Sequence, residues 1–143
     1  MWTMDIREDS PAQIKSDYLK TPLPSPPDLI ITNPPFNLAL PIIQKAIRDV
    51  RAGGLVIMLL RLNFYGSGER KDWIQNYMPS HCYVHSQRMS FVPDDVKAEK
   101  KAEAKAAGLD PAKVKGIGSD SIEYGHFIWQ SGIRPKFTKL RVI

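Results

Sequence analysis

The sequence predicts a single α/β domain, a sheet with flanking helices, and three observations carry that prediction. Residues 28–32 (Asp28-Leu29-Ile30-Ile31-Thr32) and 55–60 are short, continuous apolar runs, suited to strands covered on both faces. Between them Leu40, Ile43, Ala46, Ile47 and Val50 recur at three- and four-residue spacing, the pattern of an amphipathic helix over 38–51. Gly53-Gly54 then stops the helix, so strand, loop, helix and strand form one right-handed crossover unit.

The other elements follow from simpler signals. Residues 2–6 read as a short strand, and 11–20 as a mixed segment with a helical turn. Pro22, Pro24, Pro26 and Pro27 exclude regular helix or central strand over 21–27, which leaves a stiff, extended connector. Residues 69–78 read as a helix stopped by Pro79, and 82–89, 122–129 and 139–143 as strands. The segment 94–116 is rich in Lys, Glu and Ala. Its part 96–107 has high helix propensity but almost no apolar stripe. That describes a solvated surface insertion, or, in the functional alternative, a basic element touching a phosphate backbone.

At 143 residues, 43% of them hydrophobic and 24% charged, the chain has the size and composition of one globular domain. Its net charge of +5 favours nucleic acid as a partner. One cysteine, Cys82, excludes an internal disulfide, and His81, His85 and His126 lack metal-ligand spacing, so no metal is expected. The first residues lack the pattern of a signal peptide, and no stretch approaches the roughly 18 apolar residues of a membrane span. A cytoplasmic protein is the expectation.

Chemistry concentrates in Asn33-Pro34-Pro35-Phe36, at the carboxyl end of the first buried strand, where open α/β sheets bind their ligands. An exocyclic amine is a poor nucleophile because its lone pair is delocalised into the ring. The Asn33 side-chain oxygen and the Pro34 carbonyl can each accept a hydrogen bond from such an amine, which holds the nitrogen and helps to localise its lone pair. The two prolines fix the direction of that carbonyl. Phe36 offers a flat face on which a flipped-out base can stack.

These residues resemble the S-adenosylmethionine-dependent N6-adenine DNA methyltransferases, phage and bacterial members among them. Ser16-Asp17-Tyr18-Leu19 is similar to the acidic third motif of that family, and the run from Pro27 to Phe36 to its catalytic fourth. The resemblance implies a Rossmann-like methyltransferase sheet, S-adenosylmethionine as cofactor and DNA as partner. It implies that Asn33, Pro34, Pro35 and Phe36 are catalytic, that Asp17 and Tyr18 lie against the cofactor, and that Asp5 grips its ribose. Arg88-Met89-Ser90-Phe91 and the run from Asp120 to Trp129 look like the late strands of the family.

One departure stands against these matches. The Gly-rich cofactor motif of the family should precede Asp5, and Gly53-Gly54, Gly66-Ser67-Gly68 and Gly116-Ile117-Gly118 do not replace it. Its strand would be central, between the second strand and the catalytic one. The sheet is therefore expected either to be rearranged or to be incomplete at its N-terminal side, open to self-association or to a missing N-terminal portion. Arg61 and Asn63 follow the second buried strand and are candidates for nucleic-acid contact. Trp73, Tyr77 and Trp129 read as core. A guanine amine in RNA or a glutamine amide in protein remains an alternative substrate. A non-catalytic module that binds nucleic acid or a partner remains an alternative function.

Overall fold

The computed structural model describes residues 1–87, 89, 94–110, 114 and 122–143, with the side chains of 94 and 95 left aside. A five-stranded mixed sheet dominates. Its strands are β3 (Leu29–Thr32), β4 (Leu55–Arg61), β5 (His81–Val84), β6 (Tyr124–Gln130) and β7 (Lys139–Val142), in the order β3-β4-β6-β5-β7. β3 runs parallel to β4, β6 antiparallel to both β4 and β5, and β7 parallel to β5. Two shorter strands, β1 (Met4–Asp5) and β2 (Ile14–Lys15), pair in parallel as a separate sheet. The helices are α1 (Ala39–Asp49), α2 (Lys71–Asn76) and α3 (Asp94–Ala106).

The crossover unit forms as its periodicity predicts. α1 turns Ala39, Ile42, Ile43 and Ala46 onto Val56, Met58 and Leu60 of β4 and onto Phe127 and Trp129 of β6. Pro41 falls in the first helical turn, where its missing N–H costs no intrahelical bond. Gly53 takes a positive φ of 75° after the helix, and a Cβ on Gly54 would stand 2.9 Å from the Arg51 carbonyl. The pair therefore turns the chain where larger residues would clash. α2 adds Ile74 to the same core. Trp129, Trp73 and Tyr77 lie against one another there, the Trp129 indole donating to the Tyr77 carbonyl.

Three expectations need correction. β3 is not covered on both faces: Leu29 is 45% exposed and Ile31 63%, because the core with α1 lies on the opposite face, against Ile30. Residues 11–20 contain β2 followed by a turn, not a helical turn alone. The β1 backbone captures Ile14 and Ser16, whose N–H groups donate to the Thr3 and Asp5 carbonyls. The strand predicted over 82–89 spans His81–Val84. Arg88, Ser90, Phe91, Asp120, Ser121 and the Gly116-Ile117-Gly118 turn lie outside the described residues. No helix is long and apolar enough to cross a membrane, among the described residues.

Candidate active site

The loop leaves β3 at its carboxyl end. Thr32 still pairs in register with Met58, and Asn33 is the first residue beyond the ladder. Pro34 is buried, which anchors the loop, while Asn33 and Pro35 face solvent. The Asn33 side chain and the Pro34 carbonyl make no hydrogen bond with a described residue, so both acceptors are available to a ligand. Pro35 accepts from the Leu38 N–H and so begins the single turn Phe36–Leu38 that leads into α1. Chain stiffness from the two prolines and attachment to a core helix thus hold the loop from both ends.

Phe36 is drawn back toward the sheet. Its ring lies 5.9 Å from that of Tyr124 on β6, and the Arg61 guanidinium stands 4.3 Å from its centroid. Arg61, the last residue of β4, also donates from Nε to the Tyr124 hydroxyl at 3.3 Å. The structure therefore brings together the expected Phe36, Arg61 and Asn63 around a cavity of about 160 Å³, closed by Ala39, Leu60, Phe64 and Arg70. One face of Phe36 is covered by Arg61. A stacking base would use the other face or displace the guanidinium.

Tyr124, Phe64 and Arg70 were not visible as site residues in the sequence. Tyr124 supports Phe36 and Arg61 from behind because the antiparallel register sets it opposite Arg61, and no local pattern signals that pairing. Arg70 reads as one more charge in Glu69-Arg70-Lys71. Its guanidinium in fact lies 4.8 Å over the Phe64 ring, and its Nε donates to the Phe64 carbonyl at 3.1 Å.

The residues expected at the cofactor are placed differently. Asp5 ends β1, where its carboxylate accepts from the Arg7 N–H at 3.0 Å and from Arg7 Nη2 at 2.8 Å. Those bonds hold its carboxyl well below the usual carboxylate range. Asp17 follows β2, accepts from the Leu19 N–H at 2.9 Å and pairs with Lys20 at 3.5 Å. Both carboxylates are engaged locally, at the carboxyl ends of two parallel strands. Tyr18 points to α1 instead: its hydroxyl donates to Asp49 at 2.9 Å, and the Lys45 ammonium lies 4.5 Å over its ring. Burial and the Asp49 carboxylate push the Tyr18 hydroxyl well above its ordinary pKa.

No group of three or more His, Cys, Asp or Glu side chains able to hold a metal occurs among the described residues. His85 and His126 instead contact each other at 3.0 Å, Nε2 to Nδ1. Burial and the neighbouring His85 lower the pKa of His126. Burial raises that of Cys82, which packs in the core as a small apolar side chain.

No protein-family model matches the chain. No curated protein matches it. Among solved structures, it is similar to a Listeria monocytogenes protein provisionally assigned to the class I S-adenosylmethionine-dependent methyltransferases, with 12% identity and a TM-score of 0.49. The match covers 87% of this chain, which spans 39% of that one.

Proposed function

We propose that this chain carries the amine-holding half of an S-adenosylmethionine-dependent methyltransferase acting on an exocyclic amine, with N6 of adenine in DNA as the favoured target. The observation that carries the reading is the Asn33-Pro34 pair, two unused acceptors on a loop anchored by a buried proline beside Phe36. Asn33 Oδ1 and the Pro34 carbonyl would accept the two amine hydrogens, and Phe36 would support the ring. The net charge of +5 favours DNA over a protein amide.

The described residues do not by themselves fit the cofactor. The carboxylates of Asp5 and Asp17 are already bonded to their own neighbours. Gly66 and Gly68 take neither a positive φ nor a close protein contact that would require glycine, so no tight glycine turn is formed there. Donor binding therefore calls for a further element, by self-association or from a portion beyond these residues.

The test is transfer of labelled methyl from S-adenosylmethionine into DNA, RNA and protein. Replacing Asn33 with Ala is expected to lower transfer into DNA by about 10²–10³-fold while leaving the melting temperature unchanged. Full turnover in that variant would falsify the assignment. That no glycine cradle is formed among the described residues favours one second reading, a non-catalytic nucleic-acid-binding module. Salt-sensitive DNA binding with no calorimetric signal for S-adenosylhomocysteine would select it.

A further inference from the structure

We propose that the cavity between Phe36 and Arg70 is a phosphate site that grips the nucleic-acid backbone next to the base held at Asn33. This rests on the reading of the loop as acting on a nucleotide amine, and it identifies the substrate as a polynucleotide.

Two arginines line the cavity, and none of its lining residues is acidic. Both are splinted in the same way. Each guanidinium lies over a phenylalanine ring, Arg61 on Phe36 at 4.3 Å and Arg70 on Phe64 at 4.8 Å. Each also uses its Nε as a tether, Arg61 to the Tyr124 hydroxyl and Arg70 to the Phe64 carbonyl. The Arg70 guanidinium, tied through Nε and stacked on Phe64, still presents its Nη edge, the geometry that meets a phosphate in two parallel hydrogen bonds. The Nη groups of Arg70 make no hydrogen bond or ion pair with a described residue.

Holding such a side chain in place before binding removes much of the ordering cost of binding. Asn63, exposed on the rim, adds an amide donor. The cavity's roughly 160 Å³ equals the room of about five liquid waters, enough for a phosphodiester group. Its position decides the ligand. Phe36 is shared between this cavity and the Asn33 loop, so an anion here sits at a fixed short span from the stacked ring. Every nucleotide offers a phosphate at such a span from its base, and a glutamine side chain in a protein carries no equivalent anion.

The experiment titrates the full chain into a fluorescein-labelled single-stranded dodecamer containing one adenine, over a range of salt concentrations. Companion dodecamers have an abasic site in place of the adenine, or a methylphosphonate at the linkage flanking it. Arg70→Gln keeps an amide able to reach the Phe64 carbonyl but removes the cation. It is expected to weaken binding about tenfold and to flatten the slope of log affinity against log salt by about 0.7. The loss should be equal on the adenine and abasic strands. The methylphosphonate should weaken the wild type by a similar factor and cost Arg70→Gln nothing further. Circular dichroism checks the fold of each variant, and Arg70→Lys must bind more tightly than Arg70→Gln.

Unchanged affinity and slope in Arg70→Gln, equal weakness of the lysine variant, or no binding of the wild type to either strand would each overturn the proposal. Asn33→Ala separates the two readings. Lost methyl transfer with retained binding to the abasic strand leaves the phosphate site standing. Normal transfer in Arg70→Gln at unchanged affinity removes the phosphate site and leaves the loop assignment intact.

Discussion

The crossover unit over residues 28–61 and the segment over residues 1–20 each carry part of the expected site, yet they are held by different forces. In the first, α1 and β4 bury Ile43, Ala46, Val56 and Met58 almost completely, and the Asn33 loop is strung between that core and β3. In the second, two-residue strands pair only with each other, and Asp5 and Asp17 bond to residues two or three positions away. Its ties to the rest of the fold include Tyr18, bonded to Asp49 and lying under Lys45, and Leu19, both packed against the core. The contrast teaches that the amine-holding loop is set by long-range packing, whereas the carboxylates are set by local hydrogen bonds.

The largest expected effect tests the packed half. Ile43→Ala should lower the unfolding free energy by about 2–5 kcal/mol, because it leaves a hole between α1 and β4. Urea denaturation checks this, and a loss below about 1 kcal/mol would mean that the helix is not seated as described. Next is the tie between the halves: Tyr18→Phe should cost about 1.5 kcal/mol, as a hydrogen bond to a carboxylate is removed from a half-buried place. Exchange of the amides over residues 14–20 should quicken with it; unaltered exchange would show that the segment is anchored elsewhere.

Two smaller effects concern pH. His126 is half-buried against His85 with a lowered pKa, so its contribution to stability is complete above the ordinary histidine pKa of about 6.5. That contribution is lost as pH falls through the lower folded value. The melting temperature should therefore drop on acidification below about pH 6, and His126→Gln should reduce the drop. The smallest effect belongs to Asp5, whose carboxyl is held low by Arg7. Its contribution is present above the ordinary carboxylate pKa of about 3.9 and fades as pH falls from there. In Asp5→Asn the spectroscopic signature of the β1–β2 pair should no longer change over that acid range.

What could be read from the sequence follows the same division. The strand, helix and strand of the crossover came within one or two residues of their observed ends, since β-branched runs and a 3.6-residue apolar stripe are local signals. The Asn33 loop was legible because it joins that strand directly to that helix, and local signals give both, although packing fixes how it is held. The insertion of β6 between β4 and β5 was not legible, because strand order is decided by which apolar faces meet in space. Tyr124 and Arg70 were missed with it. The pairing β1–β2 escaped as well, since a strand of two residues is too short to show any period.

The open side of β3 has a consequence for how the loop behaves. Its outer edge carries no partner strand among the described residues, and Thr32 at its end is bonded directly to Asn33. A strand laid along that edge would fix the peptide planes of Ile31 and Thr32 and so stiffen the loop immediately after them. Linkage then works in both directions: whatever joins the edge would sharpen the grip on an amine, and an amine in the loop would tighten the joint by the same factor.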